Sequence, residues 1–244
     1  MIAIKTIDLS KSYKDICAVD SLNLEIQEGE LFSLLGVNGA GKTTTIKCLS
    51  CLSKVNSGDA LILGKSILKN AMDVKELISV SPQETAIAPN LSVRENLEFI
   101  CGVNGFDKNK ARNYTQKTID TFDMKEIKNK QAKKLSGGWQ RRLSIAMALI
   151  NEPKILFLDE PTLGLDVIAR RELWGIIKNL KKKMTIVLTT HYMEEAEALS
   201  DRIGIMSKGK LVALGTAKEL IAKTKSKNFE DAFISIASEG GKTK

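Results

Sequence analysis

The feature that most constrains this chain is "GVNGAGKT" at residues 36–43, which places three glycines between an apolar run and a helical pattern. The preceding run "LFSLL" is predicted as a fully buried strand, and a helix is predicted to begin near Lys42. Glycine lets the connecting backbone curl so that successive N–H groups point at one anion. The stretch therefore predicts an α/β fold that carries an anion-binding loop.

The same stretch fits G-x-x-x-x-G-K-[ST] at every position, a pattern whose backbone cradles phosphate oxygens. Lys42 is predicted to reach the β- and γ-phosphates of a nucleotide, and the Thr43 hydroxyl to bind Mg²⁺. The alternative is a glycine-rich turn with a solvated lysine, which the strand before it and the helix after it disfavour. The loop residues expected to contact nucleotide are Gly36, Asn38, Gly39, Ala40, Gly41, Lys42, Thr43 and Thr44.

Periodicity divides the chain into an α/β core and an insertion. Residues 1–88 open with alternating strand patterns, the first two predicted to be antiparallel, and strand–helix alternation returns over residues 151–220. Residues 89–150 show helical spacing without a convincing strand, which predicts an inserted α-helical subdomain. Residues 221–244 are predicted to be a short C-terminal extension with the amphipathic piece "FEDAFISIA" and the tail "GGKTK". The alternation in the core predicts a parallel sheet.

The composition is that of a globular protein, with 43% hydrophobic residues and a formal net charge of +8 over 244 residues. The positive charge has three interpretations: nucleic-acid binding, an anionic membrane surface, or a lysine-rich solvated surface. The basic residues are scattered and no aromatic residues interleave with them, so we expect no nucleic-acid partner. Because no segment is predicted to span a bilayer and no signal-peptide pattern is found, we expect a cytoplasmic chain.

The four cysteines include a C-x-x-C pair, Cys48 and Cys51. A zinc or redox site would need further ligands or a redox fold around them, and Cys17 and Cys101 lie far away in the sequence. We therefore interpret the cysteines as small core residues rather than as a metal or redox centre.

Polar residues follow three further strand patterns, and in α/β sheets the carboxyl ends of strands carry the ligands. "ILFLDE" ends in Asp159 and Glu160, which are suited to hold Mg²⁺ and to polarise the water that attacks a γ-phosphate. "TIVLTTH" ends in the single histidine, His191, which is placed to hydrogen-bond the γ-phosphate or that water. Gln83, after "SVSP", is a polar candidate at another strand end. Taken singly, such polar residues are common at strand ends. Because a phosphate-binding loop is predicted at the same edge of the sheet, we interpret them as catalytic.

The segment "KKLSGGWQRR" at residues 133–142 contains a second predicted helix start. Ser136 is a candidate N-cap, and the run after it has the apolar spacing of a partly buried helix. Gly137 and Gly138 are poor residues for a first helical turn. Since the N–H groups of a helix N-terminus bind phosphate, we interpret this terminus as a second phosphate-directed site.

The motifs "GVNGAGKTT", "SPQ", "LSGGW", "ILFLDEPTLGLD" and "LTTH" occur in the order found in the ATP-binding subunits of ABC transporters, which residues 1–220 resemble. The resemblance implies a RecA-like P-loop NTPase core with an N-terminal antiparallel β subdomain and an inserted helical subdomain. It also implies that ATP and Mg²⁺ bind. The roles that it implies are catalysis for Lys42, Gln83, Glu160 and His191, Mg²⁺ binding for Thr43, Gln83 and Asp159, a signature at Ser136, Gly137 and Gly138, a D-loop at Asp166, and adenine stacking for Tyr13 with Val19 nearby.

Segments such as "PTLGLDVIARRELW" and "HYMEEAEALSDRI" most resemble the exporter branch for drugs, antibiotics, bacteriocins and sodium, whose permease is a separate chain. The resemblance implies a head-to-tail homodimer with ATP sandwiched in it. In that dimer Ser136 and Gly138 of one subunit face the phosphate held by Lys42 of the other. It further implies docking on a membrane permease through the helical insertion and the groove near Gln83, at the inner face of the cell membrane.

Two other functions remain open at this stage. A soluble ABC ATPase that remodels protein or nucleic-acid machinery is typically a tandem cassette, and this chain contains one cassette. A regulatory nucleotide-binding module with little turnover is disfavoured by Glu160 and His191, which hydrolysis requires. Trp139 and "LGLD" depart from the family's commoner Gln and "SGLD", and we predict only that Trp139 packs within the helical subdomain.

Overall fold

The computed structural model describes residues 1–240, and their side chains up to residue 238; the rest of the predicted "GGKTK" tail lies outside the described residues. The strands are β1 (Ile2–Tyr13), β2 (Ile16–Gln27), β3 (Leu31–Leu35), β4 (Ser57–Ile62), β5 (Lys65–Ser66), β6 (Ile78–Ser81), β7 (Ile155–Asp159), β8 (Thr185–Thr190), β9 (Arg202–Ser207) and β10 (Lys210–Gly215). The helices are α1 (Lys42–Leu49), α2 (Ala71–Leu77), α3 (Val93–Val103), α4 (Lys108–Thr121), α5 (Gly137–Ala148), α6 (Val167–Lys181), α7 (Met193–Leu199), α8 (Ala217–Thr224) and α9 (Phe229–Gly240).

Two sheets form the scaffold. The first has the strand order β2-β1-β4-β5 and is antiparallel throughout. The second has the order β10-β9-β3-β8-β7-β6, parallel from β9 to β6, with β10 antiparallel at its edge. The predicted combination of an N-terminal antiparallel sheet and a parallel α/β core is confirmed.

The apolar runs of the sequence form strands that are covered on both faces. Every residue of β3 and of β7 is buried, as expected where helices and a second sheet pack on the two faces of a parallel sheet. One hydrophobic cluster joins the antiparallel sheet, α1 and one face of the parallel sheet. A second cluster joins the opposite face to α3, α4, α5 and α6. The inserted helices therefore share a core with the sheet, which fixes α5 relative to the strand ends.

The C-terminal segment packs onto the far edge of the parallel sheet. A capping box formed by Thr216 and Glu219 starts α8, a helix that the sequence patterns above did not predict. Phe229 and Phe233 of α9 are buried with residues of β9 and β10 in a third hydrophobic cluster. The boundary predicted at residue 220 lies inside α8, so the extension and the core are continuous in structure.

The structure bears on two features considered in the sequence, membrane-spanning segments and the four cysteines. None of the helices within residues 1–240 combines the length and apolar character needed to span a bilayer. The core interpretation of the cysteines holds for Cys48 and Cys101, which are buried, but it is wrong for Cys17, which is exposed, and Cys51 is only partly buried. Burial raises the pKa of the Cys48 thiol to about 11, and a thiol with a raised pKa is a poor nucleophile and metal ligand.

Candidate active site

Four segments at the carboxyl edge of the parallel sheet, together with the start of β2, enclose one cavity of about 460 Å³. The four segments at the sheet edge are the loop after β3, the residues after β6, the residues after β7, and the residue after β8. Such an edge is where α/β sheets bind ligands. The lining residues are Ile16, Ala18, Asn38, Gly39, Ala40, Gly41, Lys42, Thr43, Thr44, Gln83, Glu160, Leu163 and His191.

Glycine is required in the loop for two different reasons. Gly41 has φ of 103°, and a Cβ there would lie 2.2 Å from the Ala18 carbonyl oxygen. Gly36 lies outside the cavity lining, and a Cβ there would lie 2.5 Å from the Met206 carbonyl oxygen. Gly36 thus allows the loop to pack against β9, while Gly41 sets the path of the backbone at the start of α1.

Lys42 is buried and its ammonium group is shared between backbone and carboxylate. Its Nζ donates hydrogen bonds to the carbonyl oxygens of Gly36 at 2.7 Å and Val37 at 3.3 Å. The same Nζ lies 3.3 Å from Oε1 of Glu160, and the two side chains are 5% and 7% exposed. A buried ammonium held this way is pre-positioned for the oxygens of a phosphate entering the cavity.

Asp159 and Thr43 form an oxygen-rich corner beside Lys42. Thr43 Oγ1 donates to Asp159 Oδ1 at 2.9 Å, and Thr189 Oγ1 donates to the same oxygen at 2.6 Å. Hydroxyl and carboxylate oxygens are the ligands that Mg²⁺ prefers, so this donor set fits that ion. Among the described residues, no group of three or more His, Cys, Asp or Glu side chains is placed to hold a metal. Mg²⁺ at this corner would therefore complete its ligand set with phosphate and water oxygens.

Glu160 and His191 are brought into direct contact. His191 Nδ1 lies 2.5 Å from Glu160 Oε2, while the other carboxylate oxygen faces Lys42. The Glu160 N–H donates to the Thr189 carbonyl at 3.2 Å and to the Thr189 hydroxyl at 3.0 Å. Glu160 also has φ of 49°, a left-handed conformation that few non-glycine residues adopt. The carboxylate is consequently held between the Lys42 ammonium and the His191 imidazole at the cavity wall.

The predicted signature and D-loop residues do not line the cavity of their own chain. Ser136 and Gly137 are exposed at the start of α5, and the Ser136 side chain makes no capping hydrogen bond. A Cβ on Gly138 would lie 3.0 Å from the Ala169 Cβ, so that glycine lets α5 pack closely on α6. Asp166 accepts a hydrogen bond from the Ala169 N–H at 2.9 Å and caps α6. Two helix N-termini therefore face outward side by side.

The prediction for the adenine side of the site needs one correction. The Val19 side chain is fully buried in the core, and Ile16 and Ala18 form the cavity wall instead. The cause is a register shift, because Lys11 pairs with Val19 while Ser12 pairs with Cys17, which makes Ala18 an extra residue. Tyr13 is 45% exposed and pairs with Ile16 at the rim.

The sequence patterns missed one buried residue that joins the two predicted phosphate sites. Arg141 on α5 donates from Nη1 to the Pro82 carbonyl at 2.6 Å and from Nη2 to the Gln83 carbonyl at 2.5 Å. The residue is only 5% exposed, and burial lowers the pKa of its guanidinium. The pair "RR" was a visible signal, but the sequence does not indicate which arginine is buried. Arg141 couples the helix that begins at Ser136 to the segment that carries Gln83.

Trp139 packs as predicted against the cluster that the inserted helices share with the sheet. The Arg142 guanidinium lies 4.5 Å from the centre of the Trp139 ring. Arg142 in turn forms an ion pair with Glu172 of α6. Trp139 thus contributes to the junction of α5 and α6.

Known proteins with similar sequences and structures agree with this geometry. A family profile described as "ABC transporter" matches residues 19–163, more than half of the chain. ABC transporter A family member 2 of Arabidopsis thaliana is 45% identical over 205 residues, which are 83% of this chain and 21% of that protein. This chain accordingly spans about a fifth of that relative.

Two further matches cover most of both chains. Daunorubicin resistance ATP-binding protein DrrA3 of Streptomyces coeruleorubidus is 39% identical over 215 residues, 88% of this chain and 68% of that protein. A solved dimeric structure of an ATP-binding cassette, in a post-hydrolysis state with ADP and Pi, superposes with a TM-score of 0.78. That structure is 26% identical and the match covers 87% of this chain and 98% of the other. The fold, the phosphate-binding loop and these matches together establish that this chain belongs to the ABC transporter family as an ATP-binding, ATP-hydrolysing P-loop NTPase domain.

Proposed function

We propose that this chain powers an exporter as one of two identical ATPase subunits, which sandwich ATP between them and dock on a membrane permease. The observation that carries the proposal is the separation of the two phosphate-directed helix N-termini, of α1 and α5, onto different parts of the chain. Lys42 lies inside the cavity of its own chain, while Ser136 lies exposed at another surface with an uncommitted hydroxyl. A two-fold axis that brings Ser136 of one copy to Lys42 of another makes two complete sites at once.

The surface around Ser136 suits such contact. Val167 and Ile168, at the start of α6, are 66% and 73% exposed. Exposed apolar side chains beside two helix N-termini form a surface that can pack against another protein and at the same time bind an anionic group. ATP supplies that charge, so we expect the two copies to associate when ATP is bound and to separate after hydrolysis.

Each residue of the site has a role in the proposed hydrolysis. Lys42 holds the β- and γ-phosphate oxygens, and Glu160 accepts a proton from the attacking water. His191 holds the Glu160 carboxylate and is placed to contact the γ-phosphate, and Tyr13 stacks on the adenine ring. Mg²⁺, held by Thr43, Gln83 and Asp159, would neutralise charge that develops on the phosphates. Nucleotide binding is completed from both subunits of the proposed dimer. One subunit contributes the loop residues Gly36, Asn38, Gly39, Ala40, Gly41 and Thr44, and the other contributes Ser136, Gly137, Gly138 and Asp166.

A groove next to Gln83 supports the proposed permease contact. It measures about 210 Å³ and lies between β6, α3 and α5, with Pro82, Ile100 and Met147 among its lining residues. On α3 itself, Phe99 and Val103 are 56% and 67% exposed. A short amphipathic helix of a permease would cover these side chains and reach the segment that carries Gln83. The subunit would then work at the cytoplasmic face of the membrane, without a nucleic-acid partner.

The name of the Streptomyces relative, a daunorubicin resistance protein, favours export over import. Co-purification of the chain with a permease from native membranes tests this part of the proposal. Purification as a stable complex with soluble protein or nucleic-acid machinery, and no membrane partner, would support the rival function.

The dimer is tested with the E160Q variant, because removing the base should slow hydrolysis by on the order of 10²–10⁴-fold and trap the ATP-bound pair. Light scattering coupled to gel filtration should show a dimer with MgATP and a monomer without nucleotide. E194Q is the matched control, since Glu194 is a surface residue whose side chain is 58% exposed. A monomeric E160Q in MgATP would contradict the composite site.

A further inference from the structure

Glu195 on α7 is a buried carboxyl group with no cationic partner among the described residues. The residue is 0% exposed, and it takes part in none of the ion pairs found there. Its Oε1 accepts a hydrogen bond from Trp174 Nε1 at 3.1 Å. Its Oε2 is buried and has no hydrogen-bond partner in the described structure.

The surroundings of Glu195 are uncharged apart from two groups. The hydroxyls of Thr162 and Thr190 and the Trp174 indole border the carboxyl, and the nearby charges are those of Glu160 and Arg141. Thr162 Oγ1 is itself buried without a hydrogen-bond partner. Burial raises the pKa of Glu195, and the negative charge of Glu160 raises it further, while the bordering hydroxyls and the Trp174 indole act in the opposite direction.

A carboxylate offers only acceptors, whereas a neutral carboxylic acid also offers one O–H donor. We propose that Glu195 is held as a neutral acid whose Oε2–H is directed at the Thr162 hydroxyl. That state removes a buried charge that has no ion-pair partner in the described part of the chain, and such a charge is costly in the protein interior. The inference rests on the proposed roles of Glu160 and His191.

The position of Glu195 makes it a positioning residue for that pair. Thr162 follows Glu160 by two residues and Thr190 directly precedes His191. A neutral Glu195 joins these two segments to Trp174 of α6 without placing a second negative charge beside Glu160. A charged Glu195 would repel Glu160. Glu160 and Glu195 therefore have opposite requirements, the first ionised and the second neutral.

The E195Q variant tests the proposal, because glutamine is neutral, similar in shape, and able to donate a hydrogen bond. We expect E195Q to hydrolyse ATP within about twofold of the parent protein, against the large loss in E160Q. Because ionisation of Glu195 is disfavoured in the folded protein, this residue lowers the stability of the parent protein as pH rises above the pKa of the unfolded carboxyl. Glutamine does not ionise, so E195Q lacks this pH-dependent loss. The melting temperature of E195Q relative to the parent should therefore rise between about pH 5 and about pH 8.

E194Q serves as the control, since the same substitution at an exposed neighbour should give a melting difference that varies far less with pH. A flat pH dependence for E195Q, or a loss of hydrolysis as large as in E160Q, would show that Glu195 acts as a carboxylate.

If E195Q does not fold, carbon-13 NMR of the parent protein labelled at the glutamate side-chain carboxyls decides the question. One resonance at the neutral-acid position near pH 7.5 supports the proposal, and no such resonance contradicts it. A parent protein that hydrolyses no ATP would overturn the proposed function but leave the melting and NMR results valid.

Discussion

The N-termini of α1 and α5 show how differently two phosphate-directed sites are completed. At α1, Lys42 is 5% exposed and is surrounded by Glu160, the loop carbonyls and the Thr43–Asp159 corner of the same chain. At α5, Ser136 is exposed and is not among the residues that line the cavity of its own chain. The first site is assembled by folding alone. In the proposed dimer, the second site is completed by another copy of the chain, which is why the comparison bears on that proposal.

The largest expected effect comes from substituting one residue at each helix N-terminus, in two separate variants that can then be mixed. K42A should abolish hydrolysis by removing the charge that meets the phosphates, and S136E should lower it by about 10²-fold or more by placing a like charge at the γ-phosphate. S136E should still bind ATP as a monomer, whereas K42A should not. ATPase assays and equilibrium binding of a fluorescent ATP analogue separate the two defects.

A mixture of K42A and S136E sharpens the comparison. In a mixed dimer, one site combines the intact Lys42 of one subunit with the intact Ser136 of the other. With random pairing, hydrolysis should recover to at most about a quarter of the parent rate. S238E, which places the same charge on an exposed serine of α9, should behave as the parent does. Inactivity of the mixture, with both variants folded, would count against a shared site.

The next largest effect should come from Arg141, which joins the two regions. R141M removes two charge-assisted hydrogen bonds to the segment of Pro82 and Gln83, so we expect a loss of about 2 kcal/mol in the free energy of unfolding. Hydrolysis should fall by about tenfold to a hundredfold because Gln83 is no longer held in place.

Chemical denaturation and ATPase assays measure both changes, with R142M as the control. Arg142 pairs with Glu172, whose side chain is 57% exposed, and stacks on Trp139, so R142M should lower the free energy of unfolding by up to about 2 kcal/mol. Because Arg142, within the described residues, makes no hydrogen bond to the Gln83 segment, hydrolysis by R142M should stay within about twofold of the parent rate. If Arg141 acts through Gln83, its substitution should add little to the loss of hydrolysis in Q83A. Fully additive losses in the double variant would rule out that route.

The smallest effect is expected at Trp139, close to the exposed terminus but outside its chemistry. W139Q removes the stacking of Arg142 on the indole ring, which is worth about 1 kcal/mol. We expect hydrolysis within about twofold of the parent rate and a slightly lower melting temperature. A large loss of ATP-driven dimerisation in this variant would instead place Trp139 in the subunit contact.

The succession of strands along the chain and the polar residues at their ends could be predicted, because both are local properties of the sequence. An apolar run such as β3 must be buried, and the residue type that follows it is legible in the sequence. Helix α8 was also legible, since Thr216 and Glu219 form a capping box, but the polar character of the following residues obscured it. The direction of the Val19 side chain could not be predicted, because a one-residue shift in pairing reverses side-chain direction and no pattern in the sequence marks that shift.

By itself, the sequence determined the phosphate-binding loop, the acidic and histidine residues at the strand ends, and the family, because these depend on residue type and short spacing. The tertiary structure alone decided that Arg141 rather than Arg142 reaches the Gln83 segment, that Gly138 serves the packing of α5 on α6, and that Glu195 is buried without a cation. Each of these depends on contacts between segments far apart in the chain. Burial and charge pairing are set by those contacts, and so they emerge only when the chain is folded.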